Sequence, residues 1–168
     1  VIERLSEHAA SLSLGHPMDP NTHLGPVIND TQKRRIEMYL DEASAQGAVL
    51  HGGRSSDVPE HGFYVSPTVA EAQQDMTIVQ EEVFGPVIAV VPFDEAEEAI
   101  AMANENAYGL SAYVYSSNMS EALTTSTRLQ AGRVLVNGSP PPYPSIPEGG
   151  RKASGYGRDQ GPESLDGY

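Results

Sequence analysis

Strand-like and helix-like patterns alternate between residues 87 and 137, and this order restricts the fold more than any other feature of the sequence. Apolar runs predict strands over Val87–Phe93, Leu110–Ser116 and Arg133–Asn137. Apolar residues at helical spacing predict helices over Asp94–Asn106 and Met119–Gln130. Because a helix that joins two strands places them parallel, with a right-handed crossover, we predict an α/β fold with a largely parallel sheet. Ligands commonly bind at the carboxyl edge of such a sheet.

The first part of the chain predicts two more helices, of which the first covers Val1–Leu12. Before the second, Asn29 has the pattern of an N-cap, and Gln32 stands at the third helical position, as in a capping box. The second helix ends at Gly47. Its buried stripe is predicted to comprise Ile36, Tyr39, Leu40 and Ala43. The other predicted elements are short strands over Ala48–His51 and Phe63–Val69, joined by a polar loop over residues 52–62.

The segment from Gln80 to Val87 carries the strongest candidate for a binding site. Glu81 and Glu82 are followed by Phe84 and a Gly-Pro turn, directly before a predicted strand. A carboxylate in this place can accept hydrogen bonds from two sugar hydroxyls, and a ring two residues later can cover a flat heterocycle. The residue types alone also fit an acidic helix end followed by a core phenylalanine.

Composition excludes several classes of function. The formal net charge is −13, which disfavours nucleic acid and anionic membranes as partners. The sequence has no apolar run near 18 residues and no signal peptide, so we expect a cytoplasmic protein that does not span a membrane. It has no cysteine, which excludes disulfides and thiolate ligands. The five histidines have no metal-binding spacing, and we predict no metal site.

The last part of the chain is rich in proline and glycine. Residues 138–147 contain too many prolines for a helix or a central strand, so they are predicted to form a loop. Residues 149–159 are glycine-rich and basic, which could indicate a phosphate-binding loop. The spacing matches neither nucleotide-binding pattern, however, and we predict a tight structural loop.

Residues Glu81–Val87 resemble the EE-[IV]-FGPV signature of the NAD(P)-dependent aldehyde dehydrogenase superfamily. The resemblance runs essentially from Val1 to Tyr168, so residues 1–168 are identified as part of the catalytic domain of this family. The other segments that match in family order are Asp19-Pro20, Leu24–Val27, Tyr64–Val69, Ala107–Ser111, Ala131–Asn137 and Gly149–Arg158.

The resemblance implies a three-layer α/β fold with helices on both faces of the sheet, and NAD or NADP as the cofactor. In this family Glu82 would accept hydrogen bonds from the nicotinamide ribose, and Phe84 would flank the nicotinamide. Gln32 and Arg35 would approach the ribose of the adenosine half, although the helix cap alone also accounts for Gln32. The family oxidises aldehydes through a thiohemiacetal on a cysteine, which lies upstream of every matched segment together with the coenzyme-binding domain. We therefore expect this chain to be an inactive piece of a longer enzyme, with no catalytic residue of its own.

One departure from the family concerns the substrate. Many members read Pro-Phe-Gly-Gly where this chain reads Pro147-Glu148-Gly149-Gly150. If Glu148 lines the substrate pocket, its charge would oppose anionic aldehydes and favour cationic or hydroxylated ones. Alternatively, the altered loop turns Glu148 to solvent.

Two other functions are compatible with the sequence. The first is a relative on the same fold that forms semialdehydes from acyl phosphates or acyl-CoA. The second is a non-catalytic module for assembly or cofactor binding. As part of a full-length dehydrogenase, the chain would have as partners a small aldehyde, the rest of the same enzyme and, by analogy with the family, further copies in a homo-oligomer.

Overall fold

The computed structural model describes residues 1–52, 58–139 and 144–167. Parts of the two predicted loops, residues 53–57 and 140–143, lie outside the described residues. The chain divides into two compact units, Val1–Pro92 and Phe93–Tyr168. In the described part, no helix is both long and apolar enough to span a membrane.

The first unit contains three helices and one three-stranded sheet. Strand β1 (Val49–Gly52) pairs antiparallel with β2 (Thr68–Glu71), and β2 pairs parallel with β3 (Val87–Val90). Both helices and both strands predicted for residues 1–69 are present, although β2 begins only at Thr68. The elements are α1 (Ile2–Ser11), α2 (Asp30–Ala45), β1 (Val49–Gly52), β2 (Thr68–Glu71), α3 (Thr77–Gln80) and β3 (Val87–Val90).

The core of the first unit forms where α2 packs against residues from the sheet and from α3. Three of the four stripe residues predicted for α2, namely Ile36, Leu40 and Ala43, are buried. Tyr39 is only half-buried. The other buried members of this core are Val65, Ala70, Ala72, Met76 and Ile78. Burial of this apolar stripe fixes the face of α2 that points inward, and hence the side of the helix that carries Gln32 and Arg35.

The N-cap predicted for α2 is present. The side-chain oxygen of Asn29 accepts a hydrogen bond of 2.8 Å from the backbone N–H of Gln32. The other half of a capping box would require the Gln32 side chain to bond the backbone N–H of Asn29. Here that side chain donates its hydrogen bonds to another part of the chain, as described below.

Replacing Asn29 by Ala is expected to lower the free energy of unfolding by about 1 kcal/mol, because one backbone donor at the helix start loses its acceptor. Urea unfolding of the two proteins measures this difference. Glu95→Ala is a suitable control, since Glu95 occupies the N-cap of another helix without a side-chain hydrogen bond to it. Equal losses in both variants would contradict the assignment of the cap.

The second unit contains two helices, two pairs of strands and a terminal 3-10 helix. Strands β5 (Ser111–Val114) and β6 (Arg133–Val136) pair parallel and are joined in the chain by helix α5 (Met119–Arg128), as the alternating pattern predicts. Strands β4 and β7 form a separate antiparallel pair. The elements are α4 (Ala96–Glu105), β4 (Tyr108–Gly109), β5 (Ser111–Val114), α5 (Met119–Arg128), β6 (Arg133–Val136), β7 (Arg151–Lys152) and the 3-10 helix (Pro162–Gly167).

The predicted α/β class is confirmed, and the strand pairing is mixed. Parallel and antiparallel ladders occur in both units, and β3 pairs with β2 in one sheet whereas β5 pairs with β6 in another. The start of α4 also differs from the predicted range of Asp94–Asn106, because the helix begins at Ala96 with Glu95 as its N-cap. The N–H of Asp94 donates instead to the Glu98 carboxylate at 2.9 Å.

A two-pronged ion pair joins α4 to α5. The Nη1 and Nη2 atoms of Arg128 donate to the Oε1 and Oε2 atoms of Glu97, respectively, in a bidentate arrangement. Hydrogen bonding and the opposite charge lower the pKa of Glu97 and raise the pKa of Arg128. The pair is open to solvent, where ionic interactions are screened, so we assign it an orienting role rather than a large share of the stability.

Candidate functional site

The candidate binding residues of the signature lie on a short loop between α3 and β3. The side chains of Glu81 and Glu82 are exposed, and the ring of Phe84 is 70% exposed. The backbone of Phe84 has a φ of 51°, in the left-handed region that costs a bulky residue free energy. Phe84 is therefore not a core residue, and the loop holds it in a strained conformation that points its ring outward.

Helix α2 holds this loop by its backbone carbonyls. The Nε2 of Gln32 donates to the carbonyl oxygens of Val83 at 3.0 Å and Phe84 at 2.9 Å. An Nη2 hydrogen of Arg35 is donated to the carbonyl oxygen of Glu82 at 3.1 Å. Three successive carbonyl groups of the loop thus bond to two side chains one helical turn apart.

Close packing and strand hydrogen bonds fix the rest of the loop. A Cβ atom on Gly85 would lie 2.5 Å from the Cδ1 atom of Ile36, so only glycine lets the loop approach α2 this closely. The carbonyl oxygen of Pro86 accepts a bond of 2.9 Å from the N–H of Thr68, at the start of β2. The loop precedes β3, and so it lies at the amino end of this strand rather than at the carboxyl edge where the sequence led us to expect ligands.

The four predicted coenzyme residues are thereby brought together. Gln32 and Arg35 contact the backbone of the loop whose exposed side chains include Glu82 and Phe84. Arg35 also lies over the ring of Tyr39, with its guanidinium carbon 5.5 Å from the ring centroid. This stacking restricts the Arg35 side chain. An exposed carboxylate beside an exposed ring on a fixed backbone can bind vicinal hydroxyls and cover a planar ring.

The second unit contains Glu148, the residue predicted to line the substrate pocket. Its carboxylate forms an ion pair of 2.6 Å with Arg133, the first residue of β6, and both side chains are about one-third exposed. Its backbone bonds that of Asp159 in both directions, at 2.8 and 2.7 Å. Glu148 is therefore neither an isolated charge nor a residue turned wholly to solvent.

Sequence reasoning missed Arg133 as the partner of Glu148. The two residues are distant in the chain, and a basic residue at the start of a strand is not in itself a signal of pairing. The Nη2 atom of Arg133 also donates a hydrogen bond of 3.3 Å to the Ser111 hydroxyl. The positive charge of Arg133 weakens any electrostatic interaction between the Glu148 carboxylate and a charged substrate.

The glycine-rich segment that follows, which was predicted to be a loop, contains the short strand β7, and the rest of it forms turns and irregular backbone. The guanidinium Nη1 of Arg158 donates to the carbonyl oxygens of Gly150 at 2.9 Å and Gly157 at 2.7 Å. The cation thus stabilises the loop itself. Among residues 1–52, 58–139 and 144–167, no three histidine or acidic side chains cluster so as to hold a metal ion.

The chain belongs to the aldehyde dehydrogenase family, whose model matches residues 1–168. A betaine aldehyde dehydrogenase from Rhizobium leguminosarum bv. trifolii is 37% identical over 170 residues, which cover 99% of this chain and 35% of the relative. A hydroxyisobutyraldehyde dehydrogenase from Mycolicibacterium austroafricanum is 36% identical, with coverage of 99% and 34%. The chain thus spans about a third of the length of the curated relatives that it matches.

Solved structures of the family have the same fold. The betaine aldehyde dehydrogenase of Staphylococcus aureus, solved in complex with NAD+, superposes with a TM-score of 0.91 at 37% identity and covers 99% of this chain and 34% of its own. An aldehyde dehydrogenase from Bacillus cereus gives a TM-score of 0.93 at 38% identity, with the same coverage. The family and the α/β fold inferred from the sequence motifs are both confirmed.

Proposed function

We propose that the protein to which this chain belongs oxidises a small aldehyde to a carboxylic acid with NAD or NADP. The observation that carries the proposal is the loop of Glu82 and Phe84, which exposes a carboxylate and a ring on a backbone fixed by α2. We assign Glu82 to the two hydroxyls of the nicotinamide ribose and Phe84 to the nicotinamide end. The coenzyme, when bound, supplies the hydride acceptor.

In this proposal, the residues of this chain position the coenzyme and do not supply the reacting groups. It contains no cysteine, so the nucleophile that forms the thiohemiacetal belongs to the rest of the enzyme, together with the coenzyme-binding domain. Two charged hydrogen bonds to a ribose fix the distance between the nicotinamide and the substrate carbon, on which the hydride transfer rate depends. We assign residues 1–168 to one catalytic domain, which works within a cytoplasmic homo-oligomer and has neither a nucleic acid nor a membrane as a partner.

For the substrate we propose a cationic or hydroxylated aldehyde. The names of the relatives support both chemistries, since betaine aldehyde is cationic and hydroxyisobutyraldehyde carries a hydroxyl group. Glu148 stands where many members have an aromatic residue, and we place it in the pocket wall. Because Arg133 is paired with it, we expect the Glu148 carboxylate to act through hydrogen bonding more than through net charge.

The experiment is to measure NADH or NADPH formation by the full-length protein with betaine aldehyde, hydroxyisobutyraldehyde and acetaldehyde. We expect activity with at least one of the first two, and a lower kcat/KM for acetaldehyde. The chain of 168 residues alone serves as the control and should be inactive, because it lacks a cysteine. Activity that requires added phosphate or CoA would instead identify the semialdehyde-forming relative. If the protein bound neither NAD nor NADP, the proposal would be overturned.

A further inference from the structure

The carbonyl groups of Val83 and Phe84 point toward one nitrogen atom. In an extended chain successive carbonyl groups point to opposite sides, so a single amide cannot bond to two neighbours. Here the left-handed backbone at Phe84 turns its carbonyl toward the same side as that of Val83, and both lie within hydrogen-bond distance of Gln32 Nε2. The two hydrogens of this amide nitrogen match the two acceptors.

We propose that Gln32 is a positioning residue that holds the loop of Glu82 and Phe84 in its strained, outward-facing form. The proposal rests on the coenzyme role proposed above for this loop. It differs from a direct contact between Gln32 and a ribose, because both amide hydrogens are used on the loop backbone. A hydroxyl of the coenzyme could then reach only the amide oxygen of Gln32.

Neighbouring contacts make Gln32 the centre of this anchor. Arg35 bonds the preceding carbonyl, that of Glu82, from the next turn of α2. On the other side, Gly85 rests against Ile36, with no room for a side chain between them. The chain is therefore attached before and after Phe84. Between these attachments, the Gln32 amide fixes the directions of the two carbonyl groups and so restrains the backbone dihedral angles at Phe84.

The anchor can be separated from the helix cap by mutation. The cap uses the backbone N–H of Gln32, which any replacement of the side chain retains. The anchor uses only the side-chain amide. Gln32→Met keeps the length of the side chain and removes both donors, whereas Gln32→Glu keeps the shape and places a negative charge against two carbonyl oxygens.

Gln46 offers a matched control at the other end of the same helix. Its Nε2 also donates to two oxygens, those of Glu42 at 3.2 Å and Thr77 at 2.9 Å. Gln46→Met therefore removes two amide donors, together with the oxygen that accepts from the N–H of Thr77, and none of these bonds involves residues 81–86. A general weakening of the helix would affect the two methionine variants alike.

The test combines local hydrogen exchange with coenzyme affinity in the full-length protein. Without coenzyme, the amides of residues 81–85 are expected to exchange about tenfold faster in Gln32→Met and Gln32→Glu than in Gln46→Met or the unsubstituted protein. NAD+ titrated by calorimetry should bind about tenfold more weakly to the two Gln32 variants. The Gln32→Glu variant provides the same information if Gln32→Met does not fold.

The outcomes separate this proposal from the proposed function. Unchanged amide exchange at residues 81–85 in both Gln32 variants would overturn the anchor. Faster exchange with unchanged NAD+ affinity would overturn the positioning role, although the loop contact itself would stand. If the unsubstituted protein did not bind NAD+ or NADP+, the coenzyme role of the loop would fail, and the exchange data would still decide whether Gln32 holds it.

Discussion

Replacing Gly132 by Ala is expected to lower the free energy of unfolding by about 3 kcal/mol, at the upper end of the effect of overpacking. A Cβ atom at this position would overlap the carbonyl oxygen of Gly149 and come within 3.3 Å of that of Leu110. Neither obstacle is a flexible side chain. The N–H of Gly132 also bonds the carbonyl of Gly109 at 2.9 Å, which prevents the strand from moving away.

The measurement is urea unfolding of both proteins, and Gly157→Ala is the control. A Cβ atom on Gly157 would meet no atom of the described residues within 4 Å apart from its own chain neighbours, and so this variant should lose little stability. If Gly132→Ala were as stable as Gly157→Ala, the segment of Gly149 would not pack against the start of β6 as described. Because Glu148 precedes Gly149, we also expect altered substrate KM values in any Gly132→Ala enzyme that folds.

Replacing Glu82 by Gln in the full-length enzyme is expected to slow hydride transfer by about 10- to 100-fold. The amide is neutral and has only one acceptor oxygen, so the proposed contact to the two ribose hydroxyls would lose roughly 1.5 to 3 kcal/mol of charge-assisted bonding. A coenzyme that is held less firmly spends less time with its ring at the substrate carbon, and the rate falls tenfold for each 1.36 kcal/mol. Single-turnover NADH formation measures this step.

Glu81→Gln is the matched control, because Glu81 is the adjacent exposed acid of the same signature. It makes the same change in net charge, and we expect an almost normal rate. If the two variants had equal rates, the effect would come from the overall charge and not from a specific contact. An unaltered rate in Glu82→Gln would exclude the proposed ribose contact.

The two predictions concern different units of the chain and do not depend on each other. Gly132 and Glu148 belong to the second unit, whereas Glu82 belongs to the first. A loss of stability in Gly132→Ala therefore does not test the role proposed for the loop of Glu82 and Phe84. A slower hydride transfer in Glu82→Gln says nothing about the Glu148 segment, and each can fail alone.

Local patterns in the sequence determined most secondary structure. The apolar stripe of α2, its Asn29 cap and the β5-α5-β6 crossover follow from residue spacing, which acts over a few neighbours and is fully visible in one sequence. The acid and the ring of the signature were identified as a candidate site for the same reason, because Glu82 and Phe84 lie two residues apart. The start predicted for α4 at Asp94 was wrong by two residues, since Asp94 and Glu95 both have side chains that suit a helix start and the helix begins at Ala96.

Only the tertiary structure decided which distant groups meet. Gln32 was assigned to a cap or a ribose from its position in the helix, but its side chain bonds carbonyls about fifty residues further along the chain. Backbone carbonyls are present at every residue and leave no mark in the sequence, so no pattern could predict these bonds. The same holds for Arg133 and Glu148, whose charges meet because folding brings β6 beside a loop, and for the parallel pairing of β3 with β2.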